Sequence, residues 1–425
     1  MESIDIISVS SRPGNPSSTG VLIRGARQTG KTWALGRIAT ELRNRGSTPA
    51  FLRLGLLSRR NSDLASSIRG EIPTQGPRPT VLLDDVDRLQ TWRTQLVAAR
   101  ELGLQLIATA SANVEAPAGF STIDLWPLSF RQVLEARAPD ACRGLPPGLR
   151  AAGLFLPAAE LRDRFWAVHR QPSRTRLAWE RHLHEYLRVG GYPRLNAGAD
   201  DWTDYLHRAV IEPSLGIDIP ERNPVEQPDL LRRVFLEAVR RSGTELSQGE
   251  LAKHLDAAQP VVGRYLHSLS EVGLVRELRR FPLSPVARVP AKVVVTDPGL
   301  RTAVLRGTPG LREVPAEDRR ALVETLAQTA LRGDGVLFFR DYQKPNDRRS
   351  PIEEVSFVVQ AEDGGSVPVQ VSCAPEVDAA DERALRGFLR RFHCAHGILV
   401  TRDSFSAAED DAVLRVPLAE FMVAM

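Results

Sequence analysis

Eight residues near the N-terminus combine types and spacing that suit phosphate binding. From Gly25 to Thr32 they read GARQTGKT, which is the pattern G-x-x-x-x-G-K-T. The backbone N–H groups of such a loop point inward, so we expect Gly25, Gln28, Thr29 and Gly30 to surround phosphates.

Lys31 and Thr32 complete this motif. Lys31 is expected to reach the β- and γ-phosphates of a nucleotide, and the Thr32 hydroxyl to ligate Mg²⁺. An apolar strand, VLI, precedes the loop, and WALGRIATELRNRG after it has helical periodicity. Strand, loop and helix in this order are the context that the motif requires, so the sequence predicts a site for ATP and Mg²⁺.

A second buried strand carries the acidic half of the site. Thr80-Val-Leu-Leu ends in Asp84 and Asp85. We predict that Asp84 holds Mg²⁺ through water and that Asp85 orients the attacking water. The alternative is a strand that runs into an Asp-rich turn.

A helix, TWRTQLVAARELG, and a strand, LQLIATASA, follow. Thr109 and Ser111, at the end of that strand, are candidates for contact with the γ-phosphate; ordinary strand-end polar residues are the alternative. A fifth strand, FSTIDLW, comes next. Strands that alternate with helices predict an α/β fold with a parallel sheet covered on both faces.

Composition limits the class of protein. With 425 residues, 42% of them hydrophobic and 25% charged, the chain has the composition of a globular protein of two to four domains. It has no apolar stretch of about 20 residues and no N-terminal signal pattern, so we expect a cytoplasmic protein without membrane contact. Cys142, Cys373 and Cys394 are too scattered for a disulfide framework or a zinc site.

The positive charge consists almost entirely of arginine. The net charge is +4, and only four of the 56 basic residues are lysine, which leaves 52 arginines. Arginine suits phosphate recognition. A GC-rich genome also favours Arg over Lys, so this bias does not by itself indicate nucleic-acid binding.

Six segments, in this order, carry a resemblance to a known family. The chain resembles bacterial and archaeal AAA+-type ATPases with a C-terminal domain of restriction-endonuclease-like fold. The matching segments are GARQTGKT, LLDDVDRLQTW, LIATASA, DLWPLSFRQVL, YLRVGGYPRL and VVVTDPGL.

The resemblance implies four consecutive domains. They are a P-loop ATPase core (1–135), a helical lid and linker (136–228), a winged helix (229–305) and a small α/β restriction-endonuclease-like domain (306–425). Within the second, the proline-rich residues 216–228 are interpreted as a linker.

The chain departs from the family at two ATPase positions. Relatives usually end the acidic strand with Asp-Glu, whereas here Asp85 follows Asp84. Many carry Gly-Arg before the Pro-Leu-Ser-Phe segment, and here the pair is Gly119-Phe120. No arginine finger is therefore assigned; Arg131 lies close by in sequence, with a solvent-facing role as the alternative.

Three helical patterns and two strands from residue 229 predict the winged helix. In DNA-binding versions the second helix of the turn enters the major groove. Gln259, Arg264 and His267 would be exposed on that helix. The wing would present three arginines to phosphates, namely Arg276, Arg279 and Arg280. Double-stranded DNA, a protein partner and internal packing all stay open, and so does a second copy of the chain as partner.

The C-terminal domain resembles a nuclease without its catalytic groups. Such a site needs an acid on one strand and Glu-x-Lys on the next. Here the corresponding positions hold Ser356, Gln370 and Ser372, and only the helix acid, Glu324, is in place. We expect a pseudonuclease; migration of the ligands to Glu353, Glu354 or Glu376 is the alternative.

Three functions follow from these patterns. The first is an ATP-hydrolysing switch or motor that acts on nucleic acid or a partner protein, with slow turnover. The second is a regulator that binds ATP without hydrolysing it, or a DNA-binding scaffold. The third, an ATP-gated nuclease, is disfavoured by the missing carboxylates.

Overall fold

The structure is a computed structural model that describes residues 20–54, 64, 80–101, 103–196, 201–282, 291–305, 316–333, 335–342, 351–374, 377–409 and 411–425. The chain divides into two compact units. The N-terminal unit comprises Met1–Trp126, Arg208–Glu226 and Ser268–Leu274, and the C-terminal unit comprises Pro127–His207, Gln227–His267 and Val275–Met425. These units are not continuous in sequence, unlike the four consecutive domains that the resemblance implies.

A five-stranded parallel sheet forms the N-terminal unit. Its order is β2-β3-β4-β1-β5. The strands are β1 (Gly20–Gly25), β2 (Ala50–Arg53), β3 (Thr80–Asp84), β4 (Gln105–Ala110) and β5 (Phe120–Leu125). Because the strands are parallel, their carboxyl ends lie at one edge, where the P-loop and the acidic residues follow β1 and β3.

Two helices cover the two faces of this sheet, α1 (Lys31–Asn44) and α2 (Trp92–Arg100). Alternate residues of a strand point to opposite faces. Val21 and Ile23 accordingly pack in one core with Leu35 of α1, and Leu22 packs in the other with Leu96 of α2. The prediction of a parallel sheet with both faces covered is confirmed.

Residues 207–222, which include part of the predicted linker, are helical. Two π-helical turns, His207–Ile211 and Ser214–Asp218, lead into α8 (Ile219–Arg222). The linker interpretation was wrong for the stretch from 216 to 222. The fixed φ of Pro220 is compatible with a helix, and it stands where the second π-helical turn passes into α8.

Helices form the first part of the C-terminal unit. α3 begins after Ser129, which caps it in a reciprocal pair with Gln132, and this explains the Ser in the Pro-Leu-Ser-Phe segment. The helices are α3 (Phe130–Arg137), α4 (Ala158–His169), α5 (Ser173–Val189), α6 (Pro193–Asn196) and α7 (Trp202–Leu206).

Three helices and a small sheet follow, in the order expected for residues 229–305. The sheet order is β6-β8-β7, with antiparallel neighbours. Ser247 caps the second of the three helices. The elements are α9 (Pro228–Arg240), β6 (Thr244–Leu246), α10 (Gln248–Leu255), α11 (Gln259–Glu271), β7 (Val275–Leu278) and β8 (Ala291–Val295).

A second five-stranded sheet ends the chain, in the order β13-β12-β11-β10-β9. β10 pairs antiparallel with both β9 and β11, whereas β11, β12 and β13 pair parallel. The strand β13 was not predicted. The elements are α12 (Pro298–Leu305), α13 (Ala316–Ala330), β9 (Val336–Tyr342), β10 (Pro351–Gln360), β11 (Ser366–Val371), α14 (Ala379–Phe392), β12 (Gly397–Thr401), β13 (Val413–Pro417) and α15 (Leu418–Ala424).

Neither a membrane helix nor a metal cluster occurs among the described residues. No helix within those ranges is both long and apolar enough to cross a bilayer. No group of three or more His, Cys, Asp or Glu side chains within the same ranges is placed to hold a metal ion.

Candidate nucleotide-binding site

The loop between β1 and α1 has a backbone that few sequences can adopt. Gln28 has φ 62° and Gly30 has φ 98°, both in the left-handed region, which glycine enters without steric cost. The Thr29 hydroxyl donates to Ala26 O at 2.9 Å and fixes the turn from inside. A Cβ on Gly25 would lie 2.5 Å from Leu125 O, so only glycine fits at that end.

Lys31 and Thr32 begin the helix that follows the loop. Lys31 Nζ donates to the carbonyl oxygens of Gly25 at 2.8 Å and Ala26 at 3.0 Å. Burial lowers the pKa of Lys31, although nearby carboxylates, Asp85 first, oppose the shift. Thr32 Oγ1 donates to Asp84 Oδ2 at 2.8 Å. The two predicted Mg²⁺ ligands are therefore in contact.

Thr109 supports Asp84 and does not face a ligand. Its hydroxyl donates to Asp84 Oδ1 at 2.7 Å and accepts from the Asp85 N–H at 2.9 Å, and the residue is fully buried. A direct contact between Thr109 and the γ-phosphate does not fit this geometry, because both functions of the hydroxyl are used.

Asp85 turns sharply away from the end of β3. Its φ is 57°, in the left-handed region. Its Oδ2 lies 3.6 Å from Nε of Arg88. Partial burial raises the pKa of Asp85, and Lys31 counteracts this. The Asp85 carboxylate lies at the carboxyl-terminal edge of the sheet, where a water-positioning residue is expected. Arg88 competes with water for this carboxylate.

Ser111, the other predicted phosphate contact, has two polar partners that sequence reasoning missed. Its N–H donates to Asp87 Oδ2 at 3.0 Å. Arg222 of α8 donates through Nη2 both to Ser111 Oγ and to Asp87 Oδ2. A residue from the region interpreted as a linker thus belongs to the site.

A second missed contact joins the P-loop to the same helical segment. Arg27 donates to Asp218, with Nη2 2.7 Å from Oδ1. Arg88 adds two longer ion pairs, 3.9 Å to Asp218 and 3.5 Å to Glu221. No sequence motif predicts these ion pairs, because the partners lie far apart in sequence.

These residues fit a nucleotide with Mg²⁺. Gly25 and Gly30 provide a loop that side chains would block or strain. Thr32 and Asp84 supply hydroxyl and carboxylate oxygens, the hard donors that Mg²⁺ prefers. Lys31, Arg27 and Arg222 supply positive charge close to them.

The comparisons with known proteins agree with this geometry. A family model described as an AAA domain matches residues 17–134. The α/β core of the N-terminal unit is a P-loop NTPase fold of the AAA+ type. A family model described as a domain of unknown function (DUF8612) matches residues 180–310. A search of curated proteins gives no match.

Two solved structures are similar over part of the chain. One is the replication initiator DnaA bound to AMPPCP and single-stranded DNA, at 12% identity over 63% of this chain and 86% of that chain, with a TM-score of 0.24. The other is AMPPCP-bound DnaA from Aquifex aeolicus, at 13% identity with the same coverage and TM-score. A TM-score of 0.24 is too low to support a conclusion about this chain.

The predicted DNA-contacting residues separate into two groups. Gln259, Arg264, His267 and Arg279 are exposed. Arg276 is buried and donates to the carbonyl oxygens of Leu331 and Gly333. Arg280 is half-buried and donates to Arg340 O. The phosphate-contact prediction was therefore wrong for Arg276, because its guanidinium is engaged by backbone carbonyl oxygens of the same unit.

The solvent-facing alternative for Arg131 was also wrong, since Arg131 is buried and donates to Val423 O at 2.9 Å.

The residues compared above with a nuclease site lie close together in the C-terminal unit. Ser356 Oγ donates to Glu324 Oε1 at 2.9 Å, and the Ser356 N–H donates to Gln370 Oε1 at 2.8 Å. Gln370 Nε2 donates to Asp381 at 2.6 Å. Ser372 lies nearby on the chain, and its hydroxyl accepts from the Asp378 N–H at 3.2 Å.

Lys292 enters this cluster from β8. It is fully buried and forms an ion pair with Glu324. Glu354 lies 3.9 Å from Lys292 Nζ and 2.8 Å from Arg340. Burial acts to raise the pKa of Glu354, but Lys292 and Arg340 outweigh it and lower the pKa. Sequence reasoning missed Lys292, although only four lysines occur in the chain.

Proposed function

We propose that this chain binds ATP with Mg²⁺ and hydrolyses it, working as a switch or motor on a nucleic acid or a partner protein. The hydrogen bond from Thr32 to Asp84, at 2.8 Å, carries the proposal. It places the end of the P-loop and the end of the acidic strand at one point, where a metal ion needs both.

Each residue has a separate task in this proposal. The N–H groups from Gly25 to Gly30 bind phosphate oxygens, and the Lys31 ammonium moves from its own loop carbonyls to the phosphates. Mg²⁺ held by Thr32 and Asp84 would neutralise phosphate charge. Thr109 keeps Asp84 in place, and Asp85 accepts a hydrogen bond from the attacking water.

The test is nucleotide binding by the Lys31→Ala protein. Removal of a charge-assisted contact should raise the Kd for a fluorescent ATP analogue by about 10-fold or more. Arg43→Ala is the matched control, since Arg43 is exposed on the same helix and its removal should leave the Kd unchanged. Equal affinities of wild type and Lys31→Ala would refute the assignment.

The second candidate is a regulator that binds ATP without turning it over. The ion pair of Asp85 with Arg88, 3.6 Å apart, favours it, because a carboxylate engaged with an arginine is a poor acceptor for water. Steady-state phosphate release separates the two candidates: a regulator binds ATP and releases no phosphate.

For the remaining chain we propose the layout implied by the resemblance, with one change. Residues 229–305 would be a winged helix that contacts double-stranded DNA or a protein through Gln259, Arg264 and His267, whose exposure supports it. Residues 306–425 would be a restriction-endonuclease-like domain. The change is that residues 208–226 serve the nucleotide site, while the rest of 136–228 remains the proposed lid.

We propose that the C-terminal domain does not cleave nucleic acid. The ion pair of Lys292 with Glu324 supports this, because the one retained acid is already neutralised. Incubation with single- and double-stranded DNA and RNA, with Mg²⁺ or Mn²⁺ and with or without ATP, tests it. Cleavage that disappears in the Glu324→Ala protein would contradict the proposal.

A further inference from the structure

The outer side of α5 carries a row of arginines. Arg174, Arg181 and Arg188 are exposed and follow one another at intervals of seven residues. Seven residues make almost two helical turns, so the three side chains lie on one face of the helix, about 10.5 Å apart along its axis. Leu177 and His184 are exposed on the same face, three residues after Arg174 and Arg181. We call these five residues the α5 basic face; it spans about 21 Å of helix.

The three arginines of this face keep their charge for a partner. None of them forms an ion pair with a carboxylate in the described part of the chain. Arg176, on another side of α5, differs in this respect, because it lies 3.3 Å from the buried Glu420. Glu185 of α5 is held by Arg137 at 2.7 Å. Glu180, the other acid of the helix, lies beside the α5 basic face and not on it.

Aromatic rings lie beside arginines near both ends of the α5 basic face. Cζ of Arg188 is 5.9 Å from the ring centre of Trp202 in α7. Four residues before Arg174, the exposed Arg170 has its Cζ 5.2 Å from the ring centre of Trp166. Both indole rings are half-buried. Aromatic rings and guanidinium planes are the surfaces on which unpaired bases stack.

The spacing of the arginines indicates a partner with repeated negative charge. A guanidinium matches the geometry of a phosphate and binds it through two parallel hydrogen bonds. A row of arginines at regular intervals therefore fits the backbone of a polynucleotide. The arginine excess of the chain accounts for the choice of arginine over lysine, but not for the seven-residue spacing.

Leu177 indicates which kind of polynucleotide fits. It is 60% exposed and lies between Arg174 and Arg181. The backbone of a duplex would offer Leu177 only phosphates and sugars, because the bases are stacked inside. A single strand can place an unstacked base on an apolar or aromatic side chain.

We propose that the α5 basic face binds the backbone of a single-stranded nucleic acid. Its arginines contact phosphates, and Leu177 and Trp202 contact unstacked bases. The proposal rests on the nucleic-acid form of the proposed function, to which it adds the binding surface and the kind of strand. It requires no nucleotide in the P-loop.

Fluorescence anisotropy of labelled oligothymidylate, without ATP, tests the arginines. The triple variant Arg174→Gln, Arg181→Gln and Arg188→Gln should bind about 10-fold more weakly or worse at low salt. The slope of log K against log salt should fall by up to about two, since each phosphate contact on a single strand contributes about 0.7. Glutamine is a good helix former, so α5 should persist.

A second triple variant controls for the loss of net charge. Arg43→Gln, Arg383→Gln and Arg390→Gln remove the same charge from exposed positions on α1 and α14. This protein should bind oligothymidylate within about 2-fold of wild type and with the same salt slope, because contact charges and not net charge set the slope.

Leu177→Ser tests the base contact without a change of charge. Loss of apolar contact should weaken the binding of oligothymidylate by about 3-fold. The salt slope should stay that of wild type, because all three arginines remain.

Four results would overturn the proposal. Wild type could fail to bind oligothymidylate at low salt, or the first triple variant could bind it as tightly as wild type does. Tighter binding of a duplex that also depends on the three arginines would make the α5 basic face a duplex surface. Equal competition by polyglutamate would indicate an acidic protein as partner. Failure of ATP binding is distinguishable from all four, since Lys31→Ala should bind oligothymidylate as wild type does.

Discussion

Asp297 accepts a hydrogen bond from the backbone N–H of Gly191, 2.7 Å from its Oδ2. Its other oxygen accepts from Gly299 at 2.9 Å. The carboxylate is fully buried and joins the Gly-Gly-Tyr-Pro segment to the Thr-Asp-Pro-Gly segment. Two of the segments that carry the family resemblance thus share one structural contact in the C-terminal unit.

Removal of this contact should destabilise the protein. Asp297→Ala leaves the N–H groups of Gly191 and Gly299 buried without their acceptor, which should lower the free energy of unfolding by about 1–3 kcal/mol. Urea titration at pH 5 measures the change. Asp140→Asn is the control, because Asp140 is exposed in the same unit. An Asp297→Ala protein as stable as the control would show that the contact is dispensable.

The same carboxylate should make stability depend on pH. Burial raises the pKa of Asp297 from 3.8 to about 6. The folded state therefore holds this proton more tightly than the unfolded state, and the resulting stability is complete below about pH 3.8 and is lost as the pH rises through about 6. The test measures the difference in unfolding free energy between wild type and Asp297→Asn from pH 4 to 7.5. The other titrating groups are common to both proteins, so their contributions cancel in this difference. The advantage of wild type should shrink with rising pH; a flat difference would contradict the raised pKa.

The parts of the site that sequence predicted are those fixed by local rules. The spacing from Gly25 to Thr32 dictates a loop, and a buried strand that ends in Asp84 must reach the same edge of a parallel sheet. Arg222 obeys no such rule, because it lies 111 residues from Ser111 in sequence. Its own segment also contains prolines, which suggested a linker.

The C-terminal unit shows the same limit. The resemblance implied a small α/β domain for residues 306–425, but it did not indicate which charged side chains would be buried in this unit. Arg276 carries the charge of a surface residue, yet it is buried, because the carbonyl oxygens of Leu331 and Gly333 accept from it. Such pairings depend on packing between distant segments, which periodicity does not encode.

Turnover of ATP should be slow and should respond to the length of residue 85. The Asp85 side chain is shorter than that of Glu by one C–C bond, about 1.5 Å. A misplacement of a catalytic group by about 1 Å can cost about 100-fold in rate. Asp85→Glu should therefore raise kcat, and Asp85→Asn should abolish hydrolysis while nucleotide still binds. Normal hydrolysis by the Asn protein would exclude Asp85 as the water-positioning residue.

If the proposed winged helix binds DNA, the salt dependence should come from its exposed arginines, Arg264 on α11 and Arg279 directly after β7. Replacing one arginine that neutralises a phosphate should lower the slope of log K against log salt by about one. Arg264→Ala with Arg279→Ala should therefore flatten the slope by up to about two. Arg276→Ala should leave the slope unchanged and lower the melting temperature, because that side chain is internal. Wild type that binds no duplex at low salt would favour a protein partner.

Lys292 and Glu324 should behave as one buried unit. Lys292→Met leaves the buried Glu324 charge with the Ser356 hydroxyl and with the partly exposed Arg320, whose Nε lies 3.3 Å from Glu324 Oε1. Removal of one partner of a buried pair costs about 3–5 kcal/mol, and Arg320 should keep the cost near the lower end of that range. Glu324→Gln should cost a similar amount, because the Lys292 ammonium then loses its adjacent carboxylate. Among the described residues it keeps neutral acceptors, such as Ser356 O at 3.3 Å, and the more distant carboxylate of Glu354. The double variant removes both charges, so its destabilisation should be smaller than the sum of the two single effects by about 1–3 kcal/mol. Denaturant unfolding of the four proteins measures this coupling.

The exposed pair of Glu41 and Arg45 is the control, for which coupling should stay below about 1 kcal/mol. Additive effects at Lys292 and Glu324 would mean that the pair does not hold the nuclease-like cluster together, and that Glu324 remains available to a metal ion.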